Sequence, residues 1–429
     1  MFTPRLETLH YPSLLRAPRR PGVEVRRLQE RKLVRTGAHA RAHVAYYRDL
    51  FLAAGLGPGD PLTLEALAAL PMTSKERLRE LSPAEGTADD VDLSRCVTFA
   101  SSGTTGVPLT IPFTRADNTV MNLGWFRAQA YGGQRPRHKL AAFNRRPPAP
   151  ASPSPYERFG LWRRLELSSW DEPAIWVEAL SAWRPDFLMG NVKILKILAE
   201  ALAARGRGIP LRKIFHCSEL LDEPSRRFLE KTLGCGVLDF YGSREAGCIA
   251  WECPACSGYH VAEDLLVVEI LKDGRPAAPG EAGEVVITNL HSRAMPFIRF
   301  RQGDVAVRSG REPVCGVNLP LLERIDGRIP DFLVLPRRGR ISPHIVYHLL
   351  DPLPGLARWR ITQDEPLRLL VECEPGGAEA SDLRSRVESQ LRRLVPAEVA
   401  LDIIILGRIP VLSGEKFRAV RSSLESPGP

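Results

Sequence analysis

The segment Phe99 to Thr110 reads FASSGTTGVPLT and sets Ser101, Ser102, Thr104 and Thr105 around Gly103 and Gly106. Glycine lets backbone N–H groups turn toward an anion, and hydroxyls add donors without a fixed charge. Such a loop suits a phosphate that must be held and then released. It is not the ordinary P-loop, which needs Lys and then Ser or Thr right after its second glycine. Here Val107 and Pro108 follow Gly106. A plain turn rich in turn-forming residues has the same composition, so the loop takes its meaning from the rest of the chain.

A second group of chemistry-bearing residues lies in CIAWECPACSGYH, Cys248 to His260. Cys253 and Cys256 have C-x-x-C spacing, and His260 follows after three further residues. Thiolates and an imidazole so spaced favour zinc over a disulfide in a cell interior. A loop with free thiols and a surface histidine is the alternative.

Three further segments carry acids and a lysine: DFYGSRE at Asp239–Glu245, FRQGD at Phe300–Asp304, and SGEKFR at Ser413–Arg418. In this order, together with LPMTSKERLREL, AMPFIRFRQGD and LLERIDGR, they resemble the acyl- and aryl-adenylate-forming enzymes. More narrowly, the set resembles the phenylacetate–CoA ligase family and its capsule- and antibiotic-pathway relatives. The likeness spans nearly the whole chain and is weakest over 135–185. It implies a two-step reaction. A carboxylate attacks the α-phosphate of ATP to give an acyl-adenylate and pyrophosphate, and a thiol then displaces AMP.

The resemblance implies roles residue by residue. The 101–106 loop would hold the β- and γ-phosphates. Glu245 would hold Mg²⁺, a hard cation that prefers carboxylate and phosphate oxygens. Tyr241 would stack on adenine or wall the acid pocket, with Gly242 and Glu219 beside the nucleotide. Asp304 would accept from both ribose hydroxyls, and Arg328 would add a ribose or phosphate contact. Met189, Gly190 and Asn191 fall where relatives line the acid site, although they also read as core and turn residues. Lys416 would reach the substrate carboxylate and α-phosphate. Cys315 would complete a closed zinc set with Cys253, Cys256 and His260, and Cys248 is the substitute if His260 instead faces the nucleotide. The acceptor thiol would belong to coenzyme A or a carrier-protein pantetheine.

This chain departs from the family pattern at three places. Arg244 stands where Ser or Thr is usual, and would reach a phosphate or the substrate carboxylate. Glu415 precedes Lys416 in place of glycine. After Gly327-Arg328 the chain reads Ile329-Pro330-Asp331 rather than a small residue and two aspartates. Proline fixes its own φ and biases Ile329 toward extended conformations, which restricts a hinge and favours a docked carrier protein as acceptor.

The elements that must position these residues follow from periodicity. Residues 1 to about 90 read as helical, including LQERKLVRTGAHARAHVAYYRDLFLAAGL. From about 175 to 241 helical and extended segments alternate, which predicts layered α/β structure. LLVVEILKDGRPAAPGEAGEVVITNL then switches to strands, with a hairpin signal at Asp273-Gly274. The last hundred residues mix short strands and helices. The expected fold is therefore a large layered α/β domain with a β-rich segment, residues 1–327, followed by a small mobile α+β domain, residues 328–429.

The 429-residue chain is 44% hydrophobic and 25% charged, with formal charge +9 and 8 cysteines. No run of about 18 uncharged apolar residues or signal core is present, so a cytoplasmic monomer or homodimer without membrane partners is expected. The basic residues are scattered, which argues against nucleic acid as partner and suits phosphate-bearing substrates. Two rival readings are a non-catalytic scaffold that keeps the fold and a zinc-stabilised nucleic-acid binder.

Overall fold

The computed structural model describes residues 12–100, 109–144, 155–206, 208–351, 353–376, 382–410 and 418–424. The 101–106 loop, the proline-rich segment over 145–154 and Lys416 lie outside the described residues, as does the side chain of Cys256.

The layered half is as expected. Strands β3 (Leu140–Asn144), β4 (Arg164–Ser168), β5 (Phe187–Gly190), β6 (Lys213–Cys217) and β7 (Gly236–Ser243) pair in parallel in the order β4-β3-β5-β6-β7. From β7 the same sheet continues antiparallel through β8 (Gly247–Cys253), β9 (Cys256–Val261), β14 (Leu321–Arg328), β13 (Phe300–Arg308), β12 (Ala282–Asn289), β10 (Leu266–Lys272) and the short β11 (Arg275–Pro276). Upstream, β1 (Val97–Ala100) and β2 (Thr110–Phe113) form a separate antiparallel pair. They flank the hydroxyl-rich loop.

Alternation along the parallel strands explains the layers. Leu188, Ile214 and Val237 face one core, and their chain neighbours Phe187, Phe215 and Leu238 face another. A strand buried on both faces reads as a near-continuous apolar run. On one face Phe187, Phe215 and Phe240 stack in a ladder with successive centroids 5.0 Å apart. Each buried phenyl ring contributes about 1.5–3 kcal/mol.

Helices pack on both faces of this sheet and in the C-terminal part. The long ones are α1 (Gly22–His43), α2 (Ala45–Ala53), α3 (Arg115–Tyr131), α4 (Pro173–Trp183), α5 (Val192–Ala204), α6 (Glu223–Leu233), α7 (Pro343–Leu350) and α8 (Leu383–Arg392). The apolar positions of α4, α5 and α6 pack on β5–β7. Asp222 caps α6 by accepting from Ser225 N at 2.6 Å, and Gly234 ends it at φ +69°. The hairpin signal is also realised: Asp273 and Gly274 both have positive φ between β10 and β11, as a tight two-residue turn requires.

One expected helix is broken. The pattern over residues 28–56 reads as continuous, yet α1 stops at His43 because Val44 is extended, with φ −122° and ψ 113°. Val44 is fully buried, and Arg48 caps the freed carbonyls of Arg41 and Ala42. Tertiary burial of one β-branched residue outweighs local helix propensity here.

Beyond β14 the architecture changes. A 3₁₀ turn at Ile329–Asp331 leads into a β15 (Leu333–Leu335) and β16 (Gly339–Ile341) hairpin, then a four-stranded sheet in the order β19-β18-β17-β20. Its strands are β17 (Leu356–Glu365), β18 (Arg368–Pro375), β19 (Ala400–Ile405) and β20 (Val420–Ser422). With α7 and α8 they enclose a separate core running from Leu333 to Val420. This is the small α+β part that the sequence pattern implies.

Candidate active site

The β7–β8 turn is the centre of the site. Gly242 in β7 has no room for a side chain: a Cβ there would lie 2.2 Å from Gly247 O and 2.8 Å from the Trp125 ring. Only glycine lets the two strands approach α3 this closely. Behind β7, Asp239 receives the Tyr259 hydroxyl at 2.8 Å, and His216 Nδ1 lies 2.6 Å from its other oxygen. This buried network fixes the strand that carries Tyr241 and leads into the turn of Arg244 and Glu245.

Tyr241, Asp304 and Arg328 converge from three strands. The Tyr241 hydroxyl donates to Asp304 Oδ2 at 2.7 Å, and Arg328 Nε stands 3.5 Å from Asp304 Oδ1. The pairing of β13 with β14 sets Asp304 opposite Arg328. Burial raises the Asp304 pKa above the usual carboxylate range, with Arg328 opposing that rise. Burial and the Asp304 charge push the Tyr241 phenol well above its ordinary value, so it stays protonated and donates. The result is a short acidic acceptor held ready by one hydroxyl and one guanidinium.

Glu245 is buried at the turn, and Asn289 Nδ2 holds its carbonyl at 2.8 Å. Its carboxylate faces Lys75 Nζ at 4.0 Å. Arg244 is exposed and leans with its guanidinium 5.1 Å from the Phe99 ring, on the strand that enters the hydroxyl-rich loop. Glu219 is half-buried just after β6. Met189 accepts from Gln129 Nε2 at 3.5 Å through its sulfur, Gly190 packs under Phe143 and Leu195, and Asn191 caps α5 by accepting from Ile194 N at 3.0 Å. Those three residues therefore have structural contacts of their own.

Lys75 was not among the residues singled out, though LPMTSKERLREL contains it. Thr73 pins that segment to the sheet: Thr73 N donates to Arg299 O, and Arg301 N donates to Thr73 O at 2.9 Å. Lys75 then begins a short helix capped by Ser74. A lysine in the first turn opposes the helix macrodipole, and that misplacement is the only signal the sequence offers. Burial lowers the Lys75 pKa, with Glu245 opposing the shift. Lys75→Met is expected to slow acid-dependent pyrophosphate release about 10- to 100-fold, the loss of one charge-assisted contact. An unchanged rate at saturating Mg²⁺ would reduce Lys75 to a structural counter-charge.

The cysteine cluster forms at the neighbouring hairpin. Cys253, His260 and Cys315 offer donor atoms within 4.8 Å of one another. His260 Nδ1 lies 3.4 Å from Leu319 O, which fixes its proton there and leaves Nε2 facing Cys315 Sγ at 3.2 Å. The β8–β9 register sets Cys256 opposite Cys253. Cys248 is not part of this group. Its buried thiol is pushed up to about 12 by desolvation, and it lines a small cavity with Met121 and Gly124.

The small C-terminal part meets the end of β14 at the start of α7. Ser342 Oγ donates to Asp326 O at 3.1 Å, and Arg418 pairs with Asp331 in the turn that contains Pro330. Past α7, Asp351 accepts from Trp359 Nε1 at 2.6 Å and faces Asp222, the cap of α6. Burial, and then the Asp222 charge, raise the Asp351 pKa to about 6. A carboxyl whose native pKa is raised stabilises the contact below its unfolded pKa of 3.8, and that stability is lost as pH rises through 6. Asp351→Asn is therefore expected to exceed the wild type in thermal midpoint by more at pH 8 than near pH 4.5. Identical midpoints at both pH values would show that the pair carries no repulsion.

No family model matches the chain. It is 29% identical to the phenylacetate–coenzyme A ligase of Escherichia coli (strain K12), over 92% of this chain and 94% of that protein. It is 26% identical to the phenylacetate–coenzyme A ligase of Thermus thermophilus, over 94% and 88% of the two chains. Among solved structures, a 2-hydroxyisobutyryl-CoA ligase in its postadenylation state with 2-HIB-AMP superposes with TM-score 0.79 at 21% identity, covering 95% of this chain and 92% of that one. The same ligase in its thioesterification state, with coenzyme A, gives TM-score 0.63 at 22% identity over 95% and 92% of the chains. The chain is thus similar over nearly its whole length to the phenylacetate–coenzyme A ligases, and it has the fold of an acid–coenzyme A ligase.

Proposed function

We propose that the protein activates an aromatic or heteroaromatic carboxylic acid as its AMP ester and then transfers the acyl group to a thiol. The observation that carries this reading is the convergence of Tyr241, Asp304 and Arg328 beside Glu245 at the β7–β8 turn. Asp304 is a buried carboxylate with a donor on each oxygen, which is the chemistry a pair of ribose hydroxyls calls for. Glu245 adds a second carboxylate for the Mg²⁺ of the nucleotide, and Lys75, 4.0 Å from it, adds a cation beside the phosphates that the metal carries. Arg244 stays free to meet a phosphate or the substrate carboxylate. The relatives' names support an aromatic acid and coenzyme A.

The same reading extends to the two parts of the chain. Residues 1–327 act as the adenylation domain, and residues 328–429 as a small domain that changes pose between half-reactions. The higher superposition score with the postadenylation state supports this pose as the one that follows adenylate formation. Pro330 in the hinge turn, and the Arg418–Asp331 pair across it, favour an acceptor that stabilises the second pose by docking. A carrier-protein pantetheine does so more readily than free coenzyme A. The zinc set Cys253, Cys256, His260 and Cys315 is structural on this reading, because four protein ligands leave no open position.

The test is ATP-dependent pyrophosphate release across phenylacetate, benzoate, indolyl and quinoline acids and short aliphatic acids. Each active acid is then offered coenzyme A and a pantetheinylated carrier. Release with aryl acids followed by thioester formation supports the reading. Release with aliphatic acids alone overturns the aromatic assignment, and no release with any acid favours the scaffold.

A further inference from the structure

Away from these sites, at the C-terminal end of α1, His39 and His43 lie one turn apart with ring centroids 5.0 Å from each other. Each imidazole already has one nitrogen committed. His43 Nδ1 lies 2.8 Å from Asp89 Oδ1. An ionised carboxylate only accepts, so Nδ1 carries the proton. The lone pair is on Nε2, which faces Asp90 Oδ2 at 3.9 Å. His39 Nε2 lies 3.0 Å from the Arg293 carbonyl oxygen. A carbonyl also only accepts, so the His39 lone pair is on Nδ1. Outer acceptors that fix the tautomer and leave the other nitrogen for a cation are what metal-binding histidines have. The donor atoms of His39, His43 and Asp90 lie within 4.8 Å of one another.

The backbone around this cluster is firmly held. Asp89 N donates to His43 O, and Ala88 N to Ala294 O, both at 2.9 Å. Asp117 Oδ2 accepts from the backbone N–H groups of Arg293 and Ala294. A cation is already drawn to the spot, since the Arg293 guanidinium contacts Asp90 Oδ2 at 2.5 Å. The guanidinium is mostly exposed, and it can swing into solvent when a better cation arrives.

We propose that His39, His43 and Asp90 form a second metal site, solvent-accessible and selective for a divalent transition metal such as Zn²⁺. Two imidazoles and one carboxylate fit zinc, with water completing the shell. Ligand atoms around tetrahedral zinc stand about 3.3 Å apart at bond lengths near 2 Å. The present spacing therefore closes by small rotations of three side chains that are not tightly packed. The bound ion would fasten α1 to the segment ahead of β1 and to the Arg293 turn. It would not take part in adenylation.

The probe is Zn²⁺ itself, titrated calorimetrically into the tag-free full-length protein as purified without chelator. One binding event is expected in the wild type and in Cys315→Ser, and its loss is expected in the double variant His39→Gln/His43→Gln. Asp89→Asn, which disturbs only the acceptor behind His43, should weaken binding about 10-fold. Arg293→Ala keeps the backbone carbonyl and frees Asp90, so it should bind more tightly. Equal binding by the double histidine variant and the wild type, or no event in either, overturns the proposal. Circular dichroism of the double variant separates loss of the site from loss of the fold.

Discussion

Asp304→Asn is expected to lower kcat/KM for ATP about 100- to 1,000-fold while leaving the fold intact. Two hydrogen bonds from ribose hydroxyls to an ionised acceptor contribute about 1.5–3 kcal/mol each, and about 1.4 kcal/mol is a factor of ten in rate. An amide keeps the shape but accepts through one oxygen and carries no charge, so most of that stabilisation goes. The structure says why folding should survive. Burial already disfavours the charged form of Asp304, the Tyr241 hydroxyl can still donate to an amide oxygen, and Arg328 is exposed enough for water to replace its partner. The readouts are pyrophosphate release against ATP concentration and, separately, against acid concentration. A defect confined to KM for the acid would move Asp304 out of the nucleotide site. Tyr241→Phe serves as the comparison: it removes one donor from Asp304 and should cost no more than about tenfold.

The layered half of the fold was legible because the central parallel strands alternate between two buried cores. Phe187 and Leu188, or Ile214 and Phe215, had to lie on opposite faces. The helix ends follow residue type, with Asp222 and Asn191 as N-caps and Gly234 as C-cap, although Asn191 reads in the sequence as an acid-site or turn residue. Net charge was a poor guide. The arginines are consumed locally, as in the buried Arg127–Asp264 pair, the Arg299–Glu269 pair and the Arg360–Glu372 pair across β17 and β18.

The site was legible only in part, and the physical reason is sequence distance. Asp304 and Arg328 were singled out on a resemblance, and the β13–β14 register brings them together. Lys75 could not be read this way. It comes from a short helix 170 positions before Glu245, and its neighbours look like those of any surface lysine. Arg244 was noticed as a departure, but its contact with Phe99 depends on how β1 lies against the β7–β8 turn. The Val44 break has the same origin: burial decided what local periodicity left open.

Cys315→Ser is expected to strip zinc from the protein and lower its thermal midpoint by several degrees, with adenylation in the folded fraction altered less than about threefold. Metal binding free energy becomes folding free energy where the ligands are brought together only by the fold. In small zinc domains it reaches about 10–16 kcal/mol. Here Trp251, Tyr259 and Leu319 pack the surrounding core independently, so the loss should be local and far smaller. The ligands come from the β8–β9 hairpin and from the segment before β14, and zinc would tie those two together. Serine removes a thiolate while keeping size and a weak oxygen donor, which isolates the chemistry from the packing. Cys248→Ser is the informative partner, because that thiol lies outside the cluster and is held protonated by burial. Metal analysis of protein purified without chelator should find about one tightly held zinc per chain in the wild type and in Cys248→Ser, and less than a tenth of that in Cys315→Ser. Zinc retained by Cys315→Ser but lost from Cys248→Ser would exchange the fourth ligand. Zinc absent from all three proteins would leave His260 and its neighbouring thiols as a metal-free hairpin, with Nε2 of the imidazole simply resting on Cys315.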